Sequence, residues 1–476
     1  MRRRLIPVLL FALCGCQTYQ EIRNPPPLAR PDLDRPKPLV AMGTALPVSK
    51  SPYVQAAAIG PDGKAHLLVT GRVETGWSTC DIGTITHVVV GPSGTEHEEV
   101  LYEKPPCAQP NWRLGGYVYD LAFDSAGRLH AIASDKNFVR EGGRWREDGS
   151  DPCERYSHGS GELACAFTIG AKDIGVSTVG KQIAGWFLFA FLTVGRAHYG
   201  DMWDDNRPRR IAVARMGEQG WGNITVLEAD DIDSGDMVGR DATVFTDAQN
   251  RVRVLYKGRI IDDLAAATKG EGQLNRTSAD GKEIALPMRK ASGRKVEGLV
   301  AGIASNISSF TPRFAIDPPS GRMLGLLHRK AEKQRAEQLG RRLGVGVVES
   351  QLASSGGFAS PQEVFFGSGL LSLPSPVSAP GGRFQFAIPV ITATPSGSCS
   401  YEVRYYLWQD ERWSAPLLLE ADIKKNQDCW RLAPYQALPP LSPQIASDAR
   451  GRSFVAWSSG NGVAGRWLEF QAETAR

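Results

Sequence analysis

Net charge is nearly absent from this 476-residue chain: 55 lysines and arginines face 51 aspartates and glutamates, a formal +4. Three of the positive charges are Arg2, Arg3 and Arg4, at the very start. A nucleic-acid-binding domain carries a basic face or stripe, so this balance gives no reason to expect nucleic acid as a partner. Metal-ligand spacing is missing too. There is no Cys-x-x-Cys, and the seven histidines are scattered singly, each reading as a surface or packed imidazole, so no metal site is expected. No P-loop, dinucleotide fingerprint or Gly-x-Ser-x-Gly elbow occurs, and no cofactor is expected. Helical periodicity is almost absent. The exception is RKAEKQRAEQLGRRL (329–343), whose composition favours a helix inserted between two strands.

The chain does carry an address. Behind the three arginines, Leu5 to Leu13 form an apolar run of nine residues. Crossing a bilayer as a helix takes about 20, so the run suits the core of a secretory signal. The next residues, Leu13-Cys14-Gly15-Cys16, resemble the bacterial lipobox. The resemblance implies cleavage before Cys16 and the joining of its thiol to diacylglycerol with palmitate-like chains. Several acyl chains at ~0.8 kcal/mol per buried methylene would hold the protein on a membrane. Gln17, standing where an aspartate would signal retention at the inner membrane, implies the outer one. Residues 1–15 are therefore expected to be a lipoprotein signal peptide, whose removal lowers the formal charge to +1. Residues 16–48 are expected to be a lipidated tether, because seven prolines between 17 and 48 favour semi-extended chain.

From residue 49 to 476 no second linker intervenes, and the strongest signal is repetition. SPQIASDARGRSFVAW (442–457), TPRFAIDPPSGRMLGLL (311–327) and YVYDLAFDSAGRLHAIAS (117–134) share an alanine, an Asp two residues on, a turn ending in glycine, and an apolar strand. RDATVFTDAQNRVRVLY (240–256) puts Asn250 at the glycine position, and asparagine tolerates the left-handed region. SPVSAPGGRFQFAIPV (375–390) and PYVQAAAIGPDGKAHLLV (52–69) are looser copies, and IGVSTVGKQIAGWFLFAF (174–191) is the weakest. The turn residues fall at Gly63, Gly127, Gly180, Asn250, Gly321, Gly382 and Gly451, a period near 65. A later strand pair in several units is led by a tryptophan: Trp145, Trp221, Trp413 and Trp467. Two hairpins per unit predict a four-stranded antiparallel blade, and seven units predict an all-β, seven-bladed β-propeller. The final unit is a strand short, so a strand from near Leu39–Ser51 is expected to close the last blade. A pair of β-sandwiches is the rival, and it would not need the regular spacing.

Six cysteines remain besides Cys16 in the mature chain, an even number that suits disulfides in an exported protein. Pairing neighbours within or beside one unit gives Cys80–Cys107, Cys153–Cys165 and Cys399–Cys429.

Chemistry is harder to find. The copies are similar to the Asp-box (BNR-type) repeats of sialidases, Ser-x-Asp-x-Gly-x-Thr-Trp, and to the loose Asp-x-x-Gly repeats of bacterial secreted propellers. The nearest copy is SDARGRSFVAW (447–457), where Asp448 directly follows Ser447 and sits three residues before Gly451. No catalytic residue comes with that resemblance. Sialidase-type hydrolysis would need an arginine cluster, a tyrosine nucleophile and a paired acid. SYEVRYYLW (400–408) offers Glu402, Arg404, Tyr405 and Tyr406. Alternation puts Glu402, Arg404 and Tyr406 on one strand face, where an outward polar stripe is the plainer expectation. ADDIDSGD (229–236) has the acidic density of a calcium loop but departs from the EF-hand pattern. GDMWDDNRPRR (200–210) sets Trp203 among Asp201, Asp204 and Asp205, a face on which a glycan or peptide could stack and hydrogen-bond. The sequence thus predicts a monomeric binding or scaffold module, held at the cell envelope by its N-terminal lipid, with a protein or glycan ligand. The alternative is an exported glycoside hydrolase or lyase on the same fold.

Overall fold

The first hairpin shows how a repeat folds. Tyr53–Ile59 and Ala65–Thr70 pair antiparallel, and the chain reverses over Gly60–Lys64, where the Gly60 amide bonds the Lys64 carbonyl at 2.9 Å. The same bond joins Asp124 to Arg128, Asp247 to Arg251, Asp317 to Arg322 and Asp448 to Arg452. Each reversal needs one residue in the left-handed region. Gly127 takes it at φ 76° and Asn250 at φ 58°, with Gly63, Gly321, Gly382 and Gly451 positive as well. The aspartate is the brace. Asp124 accepts bonds from the Ala126 and Arg128 amides, from Arg128 Nε at 2.7 Å, and from His130 Nε2. Burial alone would raise its pKa, but those donors outweigh it and bring the carboxyl below its usual range. Asp124→Ala strands these donors, so chemical denaturation is expected to show a loss of about 1–3 kcal/mol.

The computed structural model describes residues 35–471 except 104–117, 170–209, 229–241, 262–267, 278–282, 296–312, 331–344, 369–373, 394–398, 425–442 and some stretches of one to three residues. Among the described residues every regular element is a strand. Seven sheets hold four or more strands each, nearly all antiparallel, and one small sheet holds two. The pattern is that of a β-propeller. Sheet 1 comprises Tyr53–Ile59, Ala65–Thr70, Thr84–Gly91 and Gly94–Glu103 in that order. Sheets 2 to 6 begin with Val118–Phe123, Arg155–Tyr156, Thr243–Thr246, Arg313–Ile316 and Val377–Ala379. Sheet 7 begins with Gln444–Ser447 and runs through Arg452–Ser459 to Gly462–Phe470.

The N-terminal segment joins that last sheet. Val40–Met42 and Leu46–Ser49 both pair antiparallel with Gly462–Phe470, and Val40 lies opposite Phe470. Residues 35–39 are held as well: Arg35 donates from both terminal nitrogens to the carbonyls of Val364 and Glu363, and the Leu39 amide donates to Gln409 Oε1. The proline-rich stretch is therefore docked on the sheets from Arg35 onward.

The core is divided between sheets, because each strand sends alternate side chains to opposite faces. Among the described residues seven apolar clusters result, and each draws on two sheets consecutive in the chain or on the first and the last. One joins Ala56 and Leu68 of sheet 1 to Leu121 and Ala131 of sheet 2. Another joins Leu67 and Val88 of sheet 1 to Phe454 and Trp467 of sheet 7.

One expectation needs correction, and two others lie wholly or largely outside the described residues. The weakest repeat, 174–191, lies outside the described residues, and sheet 3 opens earlier, with the hairpin of Arg155–Tyr156 and Ala164–Ile169. Its first strand has two residues and its turn lacks the Asp-x-x-Gly signal, which is why the pattern missed it. Sheet 3 also grows to six strands by a parallel pairing of Gly220–Glu228 with Glu283–Ser292. The helix expected over 329–343 begins as strand, since Met323–Lys330 is extended, and its remainder lies outside the described residues.

Candidate functional site

The first strands of all seven sheets line one cavity of about 610 Å³. Its wall repeats as the sequence repeats. Two residues before each turn stand small or apolar side chains, among them Ala122, Ala315 and Ala446, which let neighbouring strands approach. Four residues before the turn stand Asp120, Thr243, Arg313 and Gln444. Equivalent hairpin register makes these one polar level of the wall, to which Arg155 and His158 of sheet 3 are added.

The wall carboxylates are committed to neighbours. Asp120 accepts the Leu121 and Tyr156 amides, each at 3.0 Å, and lies 3.5 Å from His158 Nε2. Asp448 accepts the Arg450 and Arg452 amides and Arg452 Nε, and Asp317 accepts the Ser320 amide. Asp120, His158 and Ser157 are the residue types of a hydrolytic triad but are not joined as one. The Ser157 hydroxyl takes the Ala164 amide at 3.0 Å and the Thr246 hydroxyl at 3.3 Å, and no hydrogen bond links it to His158. Such a wall can hydrogen-bond a polar solute and match its charge. Cavities of several hundred Å³ with a few placed polar groups are the usual form of small-ligand sites.

The residues singled out from the sequence fall elsewhere. Arg404 and Tyr406 are buried, 6% and 0% exposed, so the outward polar stripe is not there. Arg404 donates from Nε and Nη2 to Glu402 Oε2 at 2.9 and 2.7 Å. Tyr406 stacks on Phe386 between sheets 5 and 6, and the Tyr405 hydroxyl donates to Gln385 Oε1 at 2.8 Å. Burial raises the Tyr405 phenol far above its ordinary range. Cys16, the Trp203 face with Asp201, Asp204 and Asp205, and the acidic loop 229–236 lie outside the described residues. Of the three expected disulfides, Cys153–Cys165 is formed across the first hairpin of sheet 3, with Cα atoms 5.5 Å apart. Cys107 and Cys429, the expected partners of Cys80 and Cys399, are outside the described residues.

Two polar clusters have no sequence signal. Asp151 is buried beside the disulfide, accepting the Tyr156 hydroxyl at 2.7 Å and the Cys153 amide at 2.8 Å, and burial pushes it up to about 6. Asp151, Cys153 and Cys165 converge closely enough to hold a metal, but the sulfurs are bonded to each other and offer no thiolate. The second cluster pairs His66 with His87 inside sheet 1, so these two histidines are not isolated. They are 21 residues apart and meet only through the register of their strands.

No protein-family model matches the chain, and no curated protein matches it. Among solved structures it is similar to a protein of unknown function from Dyadobacter fermentans, at 13% identity and a TM-score of 0.39 over 91% of this chain and 100% of that one. The parainfluenza virus 5 hemagglutinin-neuraminidase with ligand DANA is 8% identical at a TM-score of 0.34, covering 81% and 95%. An exo-1,5-α-L-arabinanase from a bovine ruminal metagenomic library is 9% identical at 0.32, covering 78% and 97%. None of the three is similar enough to assign this chain an activity.

Proposed function

We propose that this protein is a cell-envelope lipoprotein whose seven sheets are the blades of one closed propeller, and whose central channel binds a small polar ligand. The observation that carries the reading is the cavity wall, to which every one of the seven first strands contributes. Closure is supported by the apolar cluster joining sheets 1 and 7 and by the pairing of Val40–Met42 with the C-terminal strand. A site assembled from many blades, with no nucleophile bonded to a base among the described residues, favours binding over turnover. On this reading Cys16 carries the lipid, the mature chain is a monomer on the outer membrane, and the Trp203 loop is an additional contact for a glycan or peptide.

The binding test is a thermal-shift screen of neutral and charged mono- and disaccharides and short peptides. Any ligand found is then retested on Arg155→Gln/Arg313→Gln. Loss of the ligand's shift, read against the variant's own ligand-free Tm, is expected, and a full shift in that variant would place the site elsewhere. Release of product from a bound glycan would replace this reading with that of an exported glycoside hydrolase or lyase. For the anchor, fatty-acid labelling is expected in the wild type and absent in Cys16→Ala; equal labelling would remove the lipid from the reading.

A further inference from the structure

The protons of the buried histidine pair can be assigned by elimination. Glu99 Oε1 accepts Arg140 Nε at 3.0 Å and Trp145 Nε1 at 3.1 Å, and lies 3.0 Å from His87 Nδ1. Burial raises this carboxyl, but His87, His97 and Arg140 outweigh it and hold it below its ordinary value. An ionised carboxylate only accepts, so His87 Nδ1 carries the proton. In a neutral imidazole the other nitrogen is then an acceptor, and His87 Nε2 takes the proton of His66 Nδ1 across 3.0 Å. That leaves His66 Nε2 as a bare lone pair. It is buried, it has no hydrogen-bond partner, and it faces Asp62 Oδ1 at 3.6 Å.

A lone pair set against a carboxylate is repulsive, and buried polar atoms without a partner are rare enough to call for an occupant. Gly60 lets the two approach: a Cβ on that residue would lie 2.5 Å from Asp62 Oδ1 and 3.0 Å from His66 Nε2. We propose that His66 Nε2 and Asp62 Oδ1 form a proton-binding site. A third proton shared by the His66–His87 pair turns their contact into a charged hydrogen bond and fastens the Gly60–Lys64 turn to sheet 1. The turn borders the channel, since Ile59 and Phe123 line it and His66 packs edge-on against the Phe123 ring. Uptake of a solvent proton would therefore stiffen one side of the mouth.

The charges around the pair set the order of protonation. Asp62 favours a cation on His66, while Arg140 and Lys64 oppose it, Lys64 being itself paired with Glu96. Burial lowers both imidazoles, His87 to about 4. His87 is fully enclosed and already donates to Glu99, whose other oxygen lies 3.4 Å from His97. His66 is therefore the nitrogen that takes the proton first.

The test is a pH titration followed by imidazole ¹⁵N NMR on the full mature chain. At pH 7.5 His66 is expected to be protonated on Nδ1 and bare on Nε2. Below pH 6.5, Nε2 is expected to gain its proton while His87 keeps its neutral tautomer. Asp62→Asn retains an acceptor for the Lys64 amide and is expected to move the His66 midpoint down by about one pH unit. Amide exchange at Gly63 and Lys64 should slow relative to Asp62→Asn once the site is filled. A proton on His66 Nε2 with a bare Nδ1 at neutral pH, a first proton on His87, or an unmoved midpoint in Asp62→Asn would overturn the proposal.

Discussion

Asp151→Asn is expected to lose about 2 kcal/mol of stability relative to the wild type as the pH falls from 6.5 to 4. Asp151 is 4% exposed, and burial raises it from 3.8 to about 6 in the folded chain. A carboxyl raised in this way binds its proton more tightly when folded. Its contribution is fully present below its unfolded value and is lost as the pH rises through about 6. Asparagine cannot titrate, so the variant forgoes what the wild type gains on acidification. His87 works in the opposite direction. Burial lowers it from 6.5 to about 4, so the unfolded chain binds that proton more readily. Its contribution is present above pH 6.5 and is lost as the pH falls towards 4, by about 2–3 kcal/mol. The two nearly cancel in the wild type. His87→Gln should therefore gain relative stability over the same interval in which Asp151→Asn loses it. Denaturant titrations at pH 4, 5, 6 and 7 measure both differences, and two parallel profiles would refute the assignment.

Phe386→Ala is expected to cost about 3–5 kcal/mol. Phe386 is fully buried between sheets 5 and 6, stacked on Tyr406 and edge-on to Trp413, both at 5.0 Å between ring centres. Tyr406→Ala removes the other half of the stack. The double variant should therefore fall short of additivity by about 0.5–1.5 kcal/mol, the coupling of an aromatic pair. Strict additivity would mean that the rings do not pack as described. The result bears on function as well, because a tyrosine held in that stack is part of the core and is not exposed at the channel for attack on a substrate.

The fold was legible wherever a local rule forced a residue type. A hairpin reversal demands positive φ, and glycine or asparagine marks it, so Gly63, Gly127, Asn250, Gly321, Gly382 and Gly451 could be read directly. The aspartates before them were legible because their carboxylates cap the same turns. Sheet 3 was not, since a two-residue first strand crossed by the Cys153–Cys165 bond leaves no alternation to read. The wall of the cavity was half legible. Alanine recurs there because strands crowd, but Asp120, Thr243, Arg313 and Gln444 share a position without sharing a residue type. The histidine pair was invisible, because strand register brings its members together and no spacing does. Glu402, Arg404 and Tyr406 misled for a related reason. Alternation gives the shared face of a strand but not whether another sheet covers it, and here sheet 5 packs against sheet 6 through Tyr406.

On the proposed reading the channel is a site only if the ring closes, and that closure would rest on residues 40–49 pairing with Gly462–Phe470. Comparing guanidinium unfolding of chains 35–476 and 51–476 tests this directly. Without Val40–Met42 and Leu46–Ser49 the last sheet loses its outer strands, Val48 leaves the core it shares with Phe454 and Trp467, and the Leu39 amide leaves Gln409. The shorter chain is expected to be insoluble, or to unfold at a much lower midpoint and with a smaller m value. Equal midpoints and equal m values would contradict the closed ring.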